Sequence, residues 1–127
     1  MRKTTFTLAI VGLLLTVASV AFGNTGFQYT FSGCTVTVNV GQLYNQPSTA
    51  FGSAHSGDQD CYGTRARLSY RKDGTNYLTG WTQDSTPTVF HALVTRTNSD
   101  ARYVRTLASS NGTTWGCISS GCELWDS

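Results

Sequence analysis

The side chains able to do chemistry fall in a few places. His55 stands three residues before Asp58-Gln59-Asp60. An imidazole beside an Asp-x-Asp pair is a fragment that can coordinate a cation. A calcium loop also needs further oxygen ligands and a closing Glu, which this stretch lacks. The simpler reading is a solvated loop in which Asp and Gly supply turns. His91 lies inside the apolar run Val89-Phe90-His91-Ala92-Leu93-Val94. It is a candidate general base, set against the ordinary reading of a half-buried imidazole with one hydrogen bond. The serines form no Gly-x-Ser-x-Gly elbow. Acid–base cleavage of RNA would want a carboxylate or His base, a His acid and an Arg for phosphate charge. Glu123, beside Cys122, is the single Glu of the chain. No catalytic residue, metal ligand or cofactor is assigned on these signals.

The arginines and aromatic rings carry more. Arg65 and Arg67 are two residues apart, with Arg71 and Lys72 just beyond and Arg96, Arg102 and Arg105 further along. If their strands pair, they form a cationic stripe suited to a carboxylate- or phosphate-bearing glycan. The competing reading is an ordinary solvated strand face. Tyr44, Tyr62, Tyr70, Tyr77, Tyr103, Trp81, Trp115 and Trp125 supply flat rings of the kind that bind sugars. In a domain this small most of them are expected in the core, with Trp125, next to the end, the best placed for exposure. The binding candidates are therefore Arg65, Arg67, Arg71, Tyr44, Tyr62 and Trp125, together with the loop expected over 41–60.

The elements that must position these residues begin after an export signal. Met1-Arg2-Lys3 is followed by an uncharged run from Thr4 to Phe22 centred on Leu8 to Leu15, and then by small residues. That tripartite pattern reads as a secretory signal over 1–23, cut after Ala21 or after Gly23. The run is borderline for a retained span of about 20 residues, and the clustered small residues favour cleavage. No cysteine lies at the cut, so a lipid anchor is not expected. Arg2 and Lys3 leave with the signal, so the nine Lys+Arg of the full chain fall to seven, matching the seven Asp+Glu. The mature chain is formally neutral, and composition does not support a nucleic-acid partner or an anionic membrane.

Residues 24–127 suit a single β-rich domain. A chain of this size buries roughly 60 to 70% of its unfolded surface, and covalent bracing helps. Four cysteines in an exported chain read first as two disulfides. Of the three possible pairings, Cys34–Cys61 with Cys117–Cys122 is favoured, the second closing over Ile118-Ser119-Ser120-Gly121. The spacings are not those of a zinc finger or knuckle.

Alternation dominates the mature chain. In Cys34-Thr35-Val36-Thr37-Val38-Asn39-Val40 every second residue is apolar, the period of a half-buried strand. Phe27, Tyr29 and Phe31 alternate upstream, and Ser32-Gly33 breaks the phase as a bulge or tight turn. Thr64 to Tyr70 alternates again, with Ala66, Leu68 and Tyr70 inward and Arg65, Arg67 and Ser69 outward. Asp73-Gly74 is a strong hairpin signal, with a return strand expected over Tyr77–Thr82, and Asn111-Gly112 is a second hairpin dipeptide. Asn111-Gly112-Thr113 also fits the glycosylation acceptor pattern. Six to eight short strands without a helix predict an antiparallel β-sandwich, or a small barrel.

The segment Gly112-Thr113-Thr114-Trp115-Gly116 followed by Cys117 and Cys122 resembles the C-terminal end of the neocarzinostatin-type apoproteins, secreted β-sandwiches that carry a small chromophore. The resemblance implies the local Cys-x4-Cys bridge. The other bridge of that family is much shorter than Cys34–Cys61, and no function is carried over.

These features predict a small secreted, non-enzymatic domain that recognises an extracellular glycan, cell surface or protein. A secreted antagonist, such as a bacteriocin-like toxin or an enzyme inhibitor, is the alternative. A small hydrolase or nuclease comes third.

Overall fold

The alternation in the sequence becomes two sheets. The computed structural model describes residues 25–85, 90–118 and 122–126; the expected signal segment lies outside them. The strands are β1 (Thr25–Phe31), β2 (Cys34–Leu43), β3 (Gln46–Ser56), β4 (Gly63–Lys72), β5 (Thr75–Leu78), β6 (Thr82–Asp84), β7 (Phe90–Arg96), β8 (Asp100–Ser109) and β9 (Glu123–Trp125). One sheet has the order β1-β2-β3-β7. In the other, β8 lies between β4 and β9, while β5 and β6 share the opposite edge of β4. All pairings are antiparallel. The molecule is a β-sandwich rather than a barrel, and no helix among the described residues is long and apolar enough to cross a membrane.

The connections lock the sheets together. β3 and β4 follow one another in sequence but lie in opposite sheets, and so do β7 and β8. Within the sheets β3 pairs with β7 and β4 with β8. Two crossovers thus interlock, as in Greek-key sandwiches. The tight turns have the chemistry they need. Ser32 and Gly33 have φ of 50° and 85°, and Asp73 and Gly74 have 51° and 78°. Positive φ at both central residues matches the right-handed strand twist of a two-residue hairpin.

Between the sheets lie Val36, Val38 and Val40 of β2, Ala66 and Leu68 of β4, and Val104 and Ala108 of β8, all fully buried. Tyr29 of β1 and Thr106 of β8 share a buried hydrogen bond of 3.0 Å across the sandwich. Burial raises the Tyr29 phenol above its ordinary pKa, an effect partly offset by that bond. Gly52 lets the sheets approach closely, since a Cβ there would lie 2.7 Å from Val104 Cγ2. The expected disulfides are both present, with Cα separations of 4.6 Å for Cys34–Cys61 and 5.3 Å for Cys117–Cys122.

Three local expectations need correction. Residues 41–60 are not a long loop. Gln46–Ser56 forms β3, an interior strand of its sheet, and only Tyr44-Asn45 turns between β2 and β3. Thr49-Ala50-Phe51-Gly52-Ser53-Ala54 is buried on both faces, so small and apolar residues follow one another without alternating. The return strand expected over Tyr77–Thr82 is split into β5 and β6. Between them Thr79 bonds the Leu68 backbone twice, its N–H donating to Leu68 O at 2.9 Å and its Oγ1 accepting from Leu68 N at 3.0 Å. Asn111-Gly112 makes no two-residue hairpin. Asn111 Oδ1 instead accepts from the N–H groups of Thr113 and Thr114, each at 2.9 Å, and the chain returns as an isolated bridge between Gly116 and Ala108.

Candidate functional site

Outward residues of the second sheet assemble a strip of arginines and aromatic rings. The alternation of β4 turns Arg65, Arg67 and Ser69 to the outer face, where Ser69 is buried, while Ala66 and Leu68 fill the core. Their direct partners on β8 are Leu107, Arg105 and Tyr103. On β9, Glu123 and Trp125 continue the same rungs from Arg105 and Tyr103. The ladder shifts between Ser69 and Tyr70, leaving Arg102 as an extra residue on β8. A bulge re-aims side chains, and here Arg102 joins Tyr103 on the outer face, where its Nη1 donates to Ser69 Oγ at 2.8 Å.

Each indole of the strip carries a guanidinium. Arg65 Cζ lies 3.8 Å from the ring centre of Trp115. Tyr62 meets the same ring at a steep angle, 6.4 Å between centres. Gln83 of β6 orients Arg65 by accepting from its Nε at 2.7 Å. Arg67 Cζ lies 4.8 Å from Trp81, which comes from the link between β5 and β6. Arg102 lies 5.2 Å from Trp125 and 5.5 Å from Tyr103, whose rings are 4.6 Å apart. Such contacts contribute about 0.5–1 kcal/mol each at exposed sites; their larger consequence is to hold long side chains in fixed positions. All three tryptophans of the chain stand here.

The electrostatics are one-sided. Arg65, Arg67, Arg102 and Arg105 bring four cations to the strip, and Glu123 pairs with Arg105 at 3.0 Å. Glu123 also accepts from Trp125 Nε1 at 2.9 Å. Arg67 and Arg105 are opposed directly, and Arg67 Nε is buried without a hydrogen-bond partner. Beside the strip, Trp81 also lines an open cleft of about 410 Å³ between Thr79–Thr82 and Leu93–Arg96.

Other sequence candidates fall differently. Trp125 is in the strip and 49% exposed; Tyr62 stands at its edge, 46% exposed. Arg71 lies beyond its end in the β4–β5 hairpin, donating to Asn76 Oδ1 at 2.9 Å. Tyr44 is well exposed but sits in the β2–β3 turn of the first sheet. The expectation that most large aromatics are core is wrong: Tyr29 is buried, while Trp81, Trp125, Tyr44, Tyr62 and Tyr77 are exposed. Valine, alanine and leucine, with Phe51 and Tyr29, fill the buried positions instead. The stripe expected if the arginine-bearing strands pair forms with Arg102 and Arg105 of β8, but Arg96 lies on β7 in the first sheet; Trp81, Trp115 and Tyr103 are what the aromatic pattern did not single out.

The histidines lie on the first sheet. His55 and His91 are direct partners across β3 and β7, with ring centres 5.5 Å apart. Burial lowers both pKa values, and the charge of His55 lowers His91 further, against an opposing effect of Asp84. Glu123 is on β9, which lies against β1 and β2 at the far edge of the sandwich from β7. The Glu, His and Arg set considered for RNA cleavage is therefore not brought together. Asp58 serves its turn: its carboxylate accepts from Asp60 N at 2.9 Å and Thr35 N at 3.0 Å, and these bonds hold its pKa down.

Comparison with protein-family models, curated proteins and solved structures finds no match for this chain.

Proposed function

We propose that this is an exported, non-enzymatic recognition domain that binds an extracellular glycan, cell surface or protein through the outer face of its second sheet. The observation that carries the reading is the stacking of Arg65, Arg67 and Arg102 on Trp115, Trp81 and Trp125. Immobilised guanidinium forks and large rings lose little entropy on binding, and Trp, Tyr and Arg dominate recognition surfaces for that reason. The two disulfides suit an oxidising compartment. The signal over 1–23 would deliver the chain there, leaving no membrane span in the mature domain.

A printed glycan array and intact producer or target cells, probed with the mature domain, test this reading. Binding should be lost in a Trp81→Ala/Trp115→Ala variant that keeps the wild-type circular dichroism. Binding that survives in this variant places the recognition surface elsewhere.

A further inference from the structure

We propose that the ligand is an acidic polysaccharide, and that its carboxylate or sulfate groups are held at the Arg67–Arg105 rung. This rests on the recognition face just described and names what that face selects.

Three observations converge. First, Arg67 and Arg105 occupy directly opposed positions on β4 and β8. Like charges so placed oppose strand pairing, and an anion between them removes the conflict. Glu123 already relieves Arg105. Arg67 stacks on Trp81 and has no ion-pair partner among the described residues, so it is the cation left to an incoming acid. Second, the positive positions are spaced along the strip. Arg65 stacks beside Trp115, Arg67 and Arg105 share the next rung outward, and Arg102 reaches Ser69. Arg65 to Ser69 spans roughly 13 Å of extended strand at about 3.3 Å per residue. A linear chain with repeated acid groups meets successive guanidinium forks; a single small anion meets one. Third, the indoles are capped. A single-stranded nucleic acid binds by stacking bases on bare rings, whereas here guanidinium groups lie over Trp81, Trp115 and Trp125. What the strip offers is paired N–H donors backed by a ring, the geometry that receives a carboxylate or sulfate.

The test uses the full exported chain, purified after signal removal with both disulfides formed. Heparin serves as the acidic glycan, dextran as the neutral one, oligothymidylate as a nucleic acid, and phosphatidylserine vesicles as an anionic surface. Heparin should bind in a salt-sensitive manner, exceed oligothymidylate and the vesicles at equal charge, and exceed dextran at equal mass concentration. Arg67→Gln and Arg105→Gln should each weaken it about tenfold, the loss of one charge-assisted contact. Arg67→Lys, which keeps the charge without the fork, should recover only part of the affinity. Lys72→Gln makes the same charge change outside the strip and should leave binding within about twofold. Matching circular dichroism and melting temperature establish that each variant is folded. Heparin binding indifferent to Arg67→Gln and Arg105→Gln overturns the proposal. So does equal or tighter binding of oligothymidylate or vesicles. If dextran or another neutral ligand binds and is lost in Trp81→Ala/Trp115→Ala while heparin does not bind, the recognition face stands and the acidic ligand falls. If heparin binds but ignores every strip substitution, both fall.

Discussion

Arg67 of β4 and Arg105 of β8 are direct cross-strand partners on the outer face of the second sheet. Two cations on one rung are a poor choice for stability alone. Arg105 is compensated by Glu123, with Nε and Nη2 both 3.0 Å from Oε1. Arg67 rests against Trp81. The rung is thus held in place by its flanks and not by its own pairing.

Arg67 should therefore matter little to folding. Arg67→Gln loses a stack on Trp81 of about 0.5–1 kcal/mol and gains relief from like-charge opposition of about 0.2–1 kcal/mol. Urea unfolding should place the variant within about 1 kcal/mol of the parent. A loss of several kcal/mol would make Arg67 a structural residue.

The His55–His91 pair sets the acid response. Burial holds both imidazoles below their ordinary pKa of 6.5 in the folded state, with Asp84 partly opposing this at His91. Thr37, opposite His55 on β2, carries no charge. As pH falls below 6.5, the unfolded chain takes up protons that the folded chain refuses. Stability is therefore intact above that pH and declines below it, down to the folded pKa values. The urea midpoint should drop between pH 7.5 and pH 5, and His55→Gln should flatten the drop. Identical pH profiles for the two proteins would remove the pair as its cause.

The disulfides should contribute unequally. Cys34–Cys61 has a sequence separation of 27 and Cys117–Cys122 one of 5. On the chain-entropy account, Cys34→Ala/Cys61→Ala costs about 3.5 kcal/mol and Cys117→Ala/Cys122→Ala about 2. Cys34 and Cys61 are also buried in the core, which enlarges the difference. Equal losses in melting experiments would contradict this order.

Gly52 sets the distance between the sheets. Its Cβ position is 2.7 Å from Val104 Cγ2 and 3.3 Å from Leu68 Cδ1. Gly52→Ala should cost about 1–3 kcal/mol through overpacking, measurable by urea unfolding. A neutral result would mean that the sheets separate freely at this point.

Much of the fold was legible wherever one strand face meets water. β2 and β4 alternate because Val36, Val38, Ala66 and Leu68 are buried while Thr35, Thr37, Arg65 and Arg67 are not. Asp73-Gly74 and Cys117–Cys122 were readable because a tight turn and a five-residue closure are local, and with that pair made, Cys34–Cys61 is the pairing that remains. β3 was not, since burial on both faces erases the period of two. The site was half legible. The Arg65/Arg67 spacing marked one strand of it. Trp81 and Trp115 looked like core by hydrophobicity, and only the three-dimensional pairing puts them over arginines. The bulge that brings Arg102 to the face leaves no mark in the period of β8 alone, because it depends on the register with β4.

The outer face of the second sheet is the surface we propose for recognition. Because Trp81, Trp115 and Trp125 all lie on it, the three indole N–H signals in a 1H–15N spectrum report on it directly. Titration with heparin should shift these signals together with the backbone amides of Arg67 and Arg105, and leave those of Ser53 and His55 on the first sheet in place. Shifts confined to the first sheet, with all three indole signals unmoved, would contradict the account.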